Sequence, residues 1–469
     1  MHEVPIVPRR SDNFSELTDP VALRVFERVL AAAVAGLEGR TWLHVNSTAE
    51  GGGVAELLHA LLGYVASEGV RTRWLVLHGE PAFFDITKRV HNRLHGVPGD
   101  GGPLGATERA IYDATMDHEM STIGTMVRPG DVVVLHDPQS AGLAPRLAAR
   151  GAHVIWVCHV GVDAANDVAR QAWSFLLDDV RAAAATVFTR SAYVWEGLEE
   201  TRVAIIPPCI DADAPKNVPI DHPTVEAVLA AAGVIEAPVG DPTVRLADGA
   251  TVRVRRRAEM LEEVPVPTTA PLICQISRWD RLKDPVGVLR GFAAGVPVDL
   301  GAHLVLAGPQ TEAVADDPEG AEVFAEVIDA WRSLPSDQRV RTHLASLPTA
   351  DLTENAVIVN ALQRCADVVV QKSLAEGFGL TVTEAMWKER PVVGSRLGGI
   401  AEQIQDGRSG VLVDPTDLSA FAGALTRLLR DEMLAVEIGH AARQGVRERF
   451  LAPHFLAAHL ELALEVSAP

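Results

Sequence analysis

The chain has 469 residues, 48% of them hydrophobic and 22% charged, a globular balance that excludes a largely disordered polypeptide; at roughly 100 to 200 residues per domain it predicts two domains. Its 62 acidic side chains outnumber 42 basic ones, and the formal charge of -20 argues against nucleic acid as a partner. Cys158, Cys209, Cys274 and Cys365 lie far apart with no CxxC spacing, so neither a zinc site nor a disulfide framework is signalled, and a reducing, cytoplasmic setting is expected.

Residues Met1 to Thr18 carry no apolar leader, and no stretch reaches the roughly 18 apolar residues of a membrane span. From Trp42 onward short apolar runs alternate with amphipathic segments: Trp42 to Asn46, Trp74 to His78, Val132 to His136, Val154 to His159 and Val203 to Ile206, with Val54 to Ser67 as an example of the helical pattern between them. This alternation predicts an α/β, doubly wound parallel sheet covered on both faces. Ile206-Pro207-Pro208-Cys209-Ile210-Asp211 then interrupts the pattern as a linker. The alternation restarts at Leu272 to Ser277, His303 to Ala307, Val368 to Gln371 and Val392 to Ser395, giving a second doubly wound domain. The predicted divisions are residues 1–206, residues 207–450, and a C-terminal helix over 451–469 that crosses back to the first domain. Thr243 to Val254 alternates around Asp248-Gly249 and is expected to be an inserted hairpin over 243–254. Arg253, Arg255, Arg256 and Arg257 are expected to form a solvated face.

In the first domain Asn46 to Val54 joins a strand to a helix through Gly51, Gly52 and Gly53. A dinucleotide fingerprint starting at Gly51 requires glycine where Glu56 stands, which argues against a nicotinamide dehydrogenase. The loop suits close approach by sugar or phosphate, and a plain tight turn accounts for the glycines equally well. His136-Asp137-Pro138-Gln139 and His159 each follow an apolar strand at the edge where ligands bind in such sheets, although a lone histidine is more often structural. His91 and His95 have helical spacing, but Asn92 replaces the glutamate of a zinc protease motif; Asp211-Ala212-Asp213 beside the prolines is expected to be a turn. No metal is expected.

In the second domain Ser277-Arg278-Trp279-Asp280-Arg281-Leu282-Lys283-Asp284-Pro285 follows the first strand. Asp284 suits a helix N-cap and Pro285 the first helical position, so Arg278 and Lys283 project from a strand-to-helix loop, where they are able to neutralise a diphosphate, although either one alone is more often a solvated surface cation. Farther on, Glu376-Gly377-Phe378-Gly379-Leu380-Thr381-Val382-Thr383-Glu384 opens a helix after an apolar strand. Its glycines let the backbone approach a ligand, and amides at the helix start attract an anion. A glycine turn flanked by two surface glutamates fits the same spacing.

On the Glu376-x7-Glu384 pair with its Gly-Phe-Gly-Leu centre, and on Arg278 and Lys283, the chain resembles retaining glycosyltransferases of family 4, which have the two-domain GT-B fold. His44 to Thr48, Gly53 to Glu56, Phe83 to Lys88, His136 to Gln139, Asn360 to Arg364 and Thr383 to Lys388 look like blocks of the trehalose glycosyltransferring synthases. Val157 stands where that pattern has arginine, and the hairpin near Asp248 looks like an insertion. The resemblance implies transfer of glucose from a nucleotide-diphosphate glucose to glucose. In it Arg278 and Lys283 hold the diphosphate, Glu376 the donor sugar and Glu384 the ribose, with Gly52, Gly53, Gly377, Phe378, Gly379 and Leu380 also lining the donor. His159, His136 and Asp137 face the acceptor. Catalysis then rests on Glu376, Arg278, Lys283 and His159, with the leaving phosphate helping to deprotonate the acceptor. No cofactor is required, a homodimer is left open, and trehalose phosphorylase and a non-catalytic sugar-nucleotide binding protein remain as alternatives.

Overall fold

Val132, Val133, Val134 and Leu135 are consecutive and apolar, so their strand has no face to turn to water; all four are completely buried. The computed structural model, which describes residues 1–49, 53–237, 240–310 and 318–468, places this strand inside a seven-stranded sheet. Its strands are β1 (His2–Glu3), β2 (Trp42–Asn46), β3 (Thr72–Val76), β4 (Val132–His136), β5 (His153–Cys158), β6 (Ala185–Phe188) and β7 (Arg202–Ile205), in the order β1-β3-β2-β4-β5-β6-β7. All pairings are parallel except β1 on β3 at the edge. Helices α1 (Pro20–Gly36) and α2 (Gly53–Ser67) belong to this unit. So does the C-terminal helix Ala452–Ser467, which packs along α1.

The chain divides into residues 1–211 with 448–469, and residues 212–447. The first division falls past the two prolines because Cys209 and Ile210 are buried in the first unit, where the Ile210 N–H donates to the Phe450 carbonyl at 2.9 Å.

The second unit holds β8 (Ile235–Glu236), β9 (Thr243–Arg245), β10 (Thr251–Arg253), β11 (Glu259–Leu261), β12 (Val266–Pro267), β13 (Leu272–Ile276), β14 (His303–Pro309), β15 (Thr342–Leu347), β16 (Val368–Gln371), β17 (Val392–Ser395) and β18 (Val411–Val413). Seven of them form a sheet in the order β11-β15-β14-β13-β16-β17-β18. β9 and β10 make an antiparallel hairpin, and β8 pairs with β12. The relevant helices are α3 (Pro285–Gly295), α4 (Leu352–Cys365), α5 (Leu380–Trp387) and α6 (Gly398–Gln403). Arg253, Arg255, Arg256 and Arg257 are all exposed; Arg253 pairs with Asp241, and Arg256 with Glu354, whose carboxylate also accepts from the Arg256 amide at 2.6 Å. Among the described residues no helix is long and apolar enough to cross a membrane.

Candidate functional site

At the carboxyl end of the second unit's sheet, two strand-to-helix loops are bolted together. Asp284 is in the left-handed region (φ 50°), where a non-glycine residue needs support, and its side chain caps α3 by accepting from the Gly287 N–H at 3.0 Å. The support is Lys372, the residue after β16. It is completely buried, ion-paired with Asp284, and donates to the Pro415 carbonyl at 2.6 Å. Gln275 donates to the Lys283 carbonyl and the Leu374 N–H to the Leu282 carbonyl, both at 2.7 Å.

With its backbone held in this way, Lys283 points its ammonium at Glu376 Oε2, 2.5 Å away. Ser373 Oγ and Gln371 Nε2 donate to the same oxygen at 3.1 and 3.3 Å. Lys283, Ser373 and Gln371 thus converge on one oxygen of the Glu376 carboxylate and orient it. Arg278, on the same loop as Lys283, is 55% exposed and lies 3.3 Å from Asp280.

Beyond Glu376 the chain enters α5 through Gly379, at φ 84°, with no side-chain cap on the helix start. Of its first-turn amides, the Val382 N–H donates to the Gly379 carbonyl at 3.0 Å. The loop is pressed against α6: a Cβ on Gly399 would lie 2.3 Å from Phe378 Cα and 2.5 Å from the Gly377 carbonyl oxygen. Gln403 donates to the Phe378 carbonyl at 2.6 Å and is itself held by Thr383 at 2.5 Å.

Glu384 is nearly buried on α5, 3.4 Å from Lys216 Nζ and 3.4 Å from Gln363 Nε2. Lys216 reaches it because its own stretch is tied down: Asn360 donates to the carbonyls of Pro215 and Val218, and Arg364 to those of Asn217 and Val218. Burial lowers the Arg364 pKa to about 10. Burial also holds the Lys388 ammonium well below the lysine range, with the Glu384 charge opposing it, and Lys388 donates to Asn217 Oδ1 at 3.1 Å.

The first unit, taken by itself, holds a row of histidines. His44 on β2, His136 at the end of β4 and His159 just past β5 lie side by side: His44 Nδ1 is 3.0 Å from His136 Nε2, and His136 Nδ1 is 3.1 Å from His159 Nε2. The rings stack with interplanar angles of 22° and 14°. Burial holds His44 and His136 well below the histidine range; it lowers His159 too, against the opposing charge of Asp137. Asp137, in a left-handed conformation (φ 61°), accepts from the His159 N–H at 2.9 Å.

His136 was expected to face an acceptor, but the neutral ring has one donor and one acceptor nitrogen and both are engaged with other imidazoles, leaving none for a sugar. Gly53 opens α2, while Gly52, with Glu50 and Gly51, lies outside the described residues. His95 contacts the Gly161 carbonyl at 3.2 Å, and Asp211 accepts from Tyr64 at 3.0 Å and from Arg9, which makes it a buried packing group. Among the described residues no three His, Cys, Asp or Glu side chains form a set able to hold a metal ion.

The sequence reading placed Lys283 and Glu376 in one region; it missed Lys372, Gln371, Ser373, Lys216 and His44. Lys372 alone left a signal, a lysine directly after the buried strand Val368–Gln371.

Residues 44–195 match the family model "Trehalose synthase, N-terminal domain", and residues 352–445 match "Glycosyl transferases group 1". The trehalose synthase of Rubrobacter xylanophilus is 33% identical over 91% of this chain and 90% of its own length. The trehalose phosphorylase of Pleurotus pulmonarius is 27% identical over 90% of this chain but 56% of its own length. An α,α-trehalose 6-phosphate synthase from Burkholderia multivorans, solved as a crystal structure, shares the fold with a TM-score of 0.67 at 16% identity, covering 91% of this chain and 98% of that one.

Proposed function

The chain belongs to the trehalose synthase family of GT-B glycosyltransferases, and we propose that it moves glucose from a nucleotide-diphosphate glucose to free glucose with retention, forming the α,α-1,1 bond of trehalose. The observation that carries this reading is the Lys283–Glu376 pair, with Arg278 on the same loop as Lys283: cations and a fixed carboxylate meet where two strand-to-helix loops adjoin.

Breaking the bond between the glucosyl carbon and the diphosphate leaves negative charge on the phosphate and positive charge on the sugar. Lys283 and Arg278 offset the first, and the uncapped start of α5 takes a phosphate oxygen. Glu376 faces the second and orients the sugar hydroxyls. Glu384 takes the ribose hydroxyls in place of its present partners. His159 binds a sugar hydroxyl, and the departing phosphate accepts the acceptor's proton. No enzyme nucleophile is needed. Glu376, its Oε2 engaged by the Lys283 ammonium, is not placed as the proton-donor half of a hydrolytic carboxylate pair. The basic side chains do the neutralising, so transfer should persist in chelator.

Likeness to a trehalose phosphorylase supports a second reading, in which glucose 1-phosphate is the donor in the same anion pocket. A panel of nucleotide-diphosphate glucoses and glucose 1-phosphate, each offered with glucose in chelator and read by mass and linkage analysis, separates the two. Disaccharide from a nucleotide sugar supports the first reading; disaccharide from glucose 1-phosphate alone replaces it with the second.

A further inference from the structure

We propose that His44 and His136 are positioning residues that lock His159 in its Nδ1–H tautomer, so that His159 meets a ligand as a hydrogen-bond donor. That the ligand atom is a sugar hydroxyl rests on the function proposed above; the lock itself does not.

A neutral imidazole carries one N–H and one bare nitrogen, so the two contacts in the row must run the same way. In one direction His44 Nδ1–H donates to His136 Nε2, His136 Nδ1–H donates to His159 Nε2, and the free proton of the row sits on His159 Nδ1. In the other, His159 Nε2–H donates to His136 Nδ1, His136 Nε2–H donates to His44 Nδ1, and the free proton sits on His44 Nε2. The two ends differ. His44 Nε2 is buried with no hydrogen-bond partner among the described residues, and the tight pocket beside the row is walled by Leu57, Leu58, Phe455, Leu456 and Trp42, whose Nε1–H is likewise buried without an acceptor. An N–H stranded against hydrocarbon is costlier and rarer than a bare acceptor there. His159 is the partly exposed member, and its ring has His136 as its one hydrogen-bonding partner among the described residues. The first direction therefore prevails.

The row is also a dead end. His459, the other imidazole of that pocket, has a buried Nε2 that is likewise without a partner. Among the described residues no acceptor lies within hydrogen-bond distance of His44 Nε2, so the row ends there and fixes the tautomer of His159. Burial disfavours an imidazolium in the row, which keeps the two-state argument intact at neutral pH.

The test is long-range proton–nitrogen NMR on the full chain labelled with ¹⁵N-histidine, with rings assigned by single substitution. At neutral pH His44, His136 and His159 should all be Nδ1–H tautomers. His136→Phe, which keeps an aromatic ring but no ring nitrogen, should shift His159 toward the Nε2–H form that an unconstrained imidazole prefers, and raise the acceptor KM several-fold more than it changes kcat. An Nε2–H tautomer on any of the three rings in the unsubstituted protein, or a His159 tautomer unmoved by His136→Phe, would overturn the lock. Should His136→Phe not fold, His44→Phe must loosen the Nδ1–H preference of His136, and an unchanged His136 counts against the proposal. If the tautomers are as stated but no sugar is transferred, the proposed function fails and the lock stands.

Discussion

The loop cluster around Lys283 and the histidine row around His136 sit at the same kind of place, the carboxyl ends of strands in a doubly wound sheet, yet they are built from opposite materials. The first is a set of formal charges: Lys283, Lys372, Asp284 and Glu376 are all paired and mostly buried. The second is uncharged, three imidazoles kept neutral by burial. Ions taken out of water carry a desolvation penalty of several kcal/mol each, so a fold retains such a cluster where a charged ligand or transition state calls for it. A neutral hydroxyl asks only for orientation, which a chain of hydrogen bonds supplies. On this account unit 2 answers charge and unit 1 answers geometry.

The sharpest break of that contrast is Lys372→Met. It leaves Asp284 beside an apolar side chain, and stability should fall by about 3–5 kcal/mol, read from denaturant unfolding; a loss under about 1 kcal/mol would mean the pair is not what holds the loop. Lys283→Ala should destabilise less than Lys372→Met, because Glu376 keeps Ser373 and Gln371 as donors, while turnover drops by about 10²–10³-fold, the scale of losing one electrostatic stabiliser. Near-normal turnover at saturating donor would remove Lys283 from the chemistry.

The two glutamates should then separate. Glu376→Gln should lower kcat more than it alters donor affinity. Glu384→Gln should mainly raise the donor KM, by about tenfold, as a charge-assisted bond becomes a neutral one. The opposite split would exchange their roles.

Smallest is the pH response of the neutral side. Burial takes the His459 pKa down to about 3 from the ordinary 6.5. The unfolded chain therefore takes up a proton first. Stability is fully present above about pH 6.5 and declines as pH falls toward 3, with a limiting slope of about 1.4 kcal/mol per pH unit for that ring. His459→Leu should flatten the slope of unfolding free energy between pH 7 and pH 5; an unaltered slope would show that His459 does not titrate this way.

The same contrast governs what was legible in the sequence. Charged loops leave compact motifs: Asp284-Pro285 marked the start of α3, Gly379-Leu380 that of α5, and Lys283 and Glu376 stood out beside them. The strands Trp42–Asn46, Val132–His136, Val368–Gln371 and Val392–Ser395 were visible as apolar runs because both their faces are buried. Thr342–Leu347 escaped, since its Thr, His and Ser break the run, although they are buried. The histidine row was not readable because its members come from three strands, with His44 and His136 separated by 92 positions, and only the order β2-β4-β5 in the sheet makes them neighbours. Lys216 is similar: it reaches Glu384 through the grip of Asn360 and Arg364 on distant backbone.

The most direct measurement is a single proton NMR time course of the intact chain with nucleotide-diphosphate α-glucose and unlabelled glucose, the transferred sugar carrying ¹³C at its anomeric carbon. The account predicts that the ¹³C signal moves into an α,α-1,1 disaccharide as nucleotide diphosphate accumulates, and that Lys283→Ala suppresses both together. A β-configured product, or label that reaches only free glucose, would contradict it.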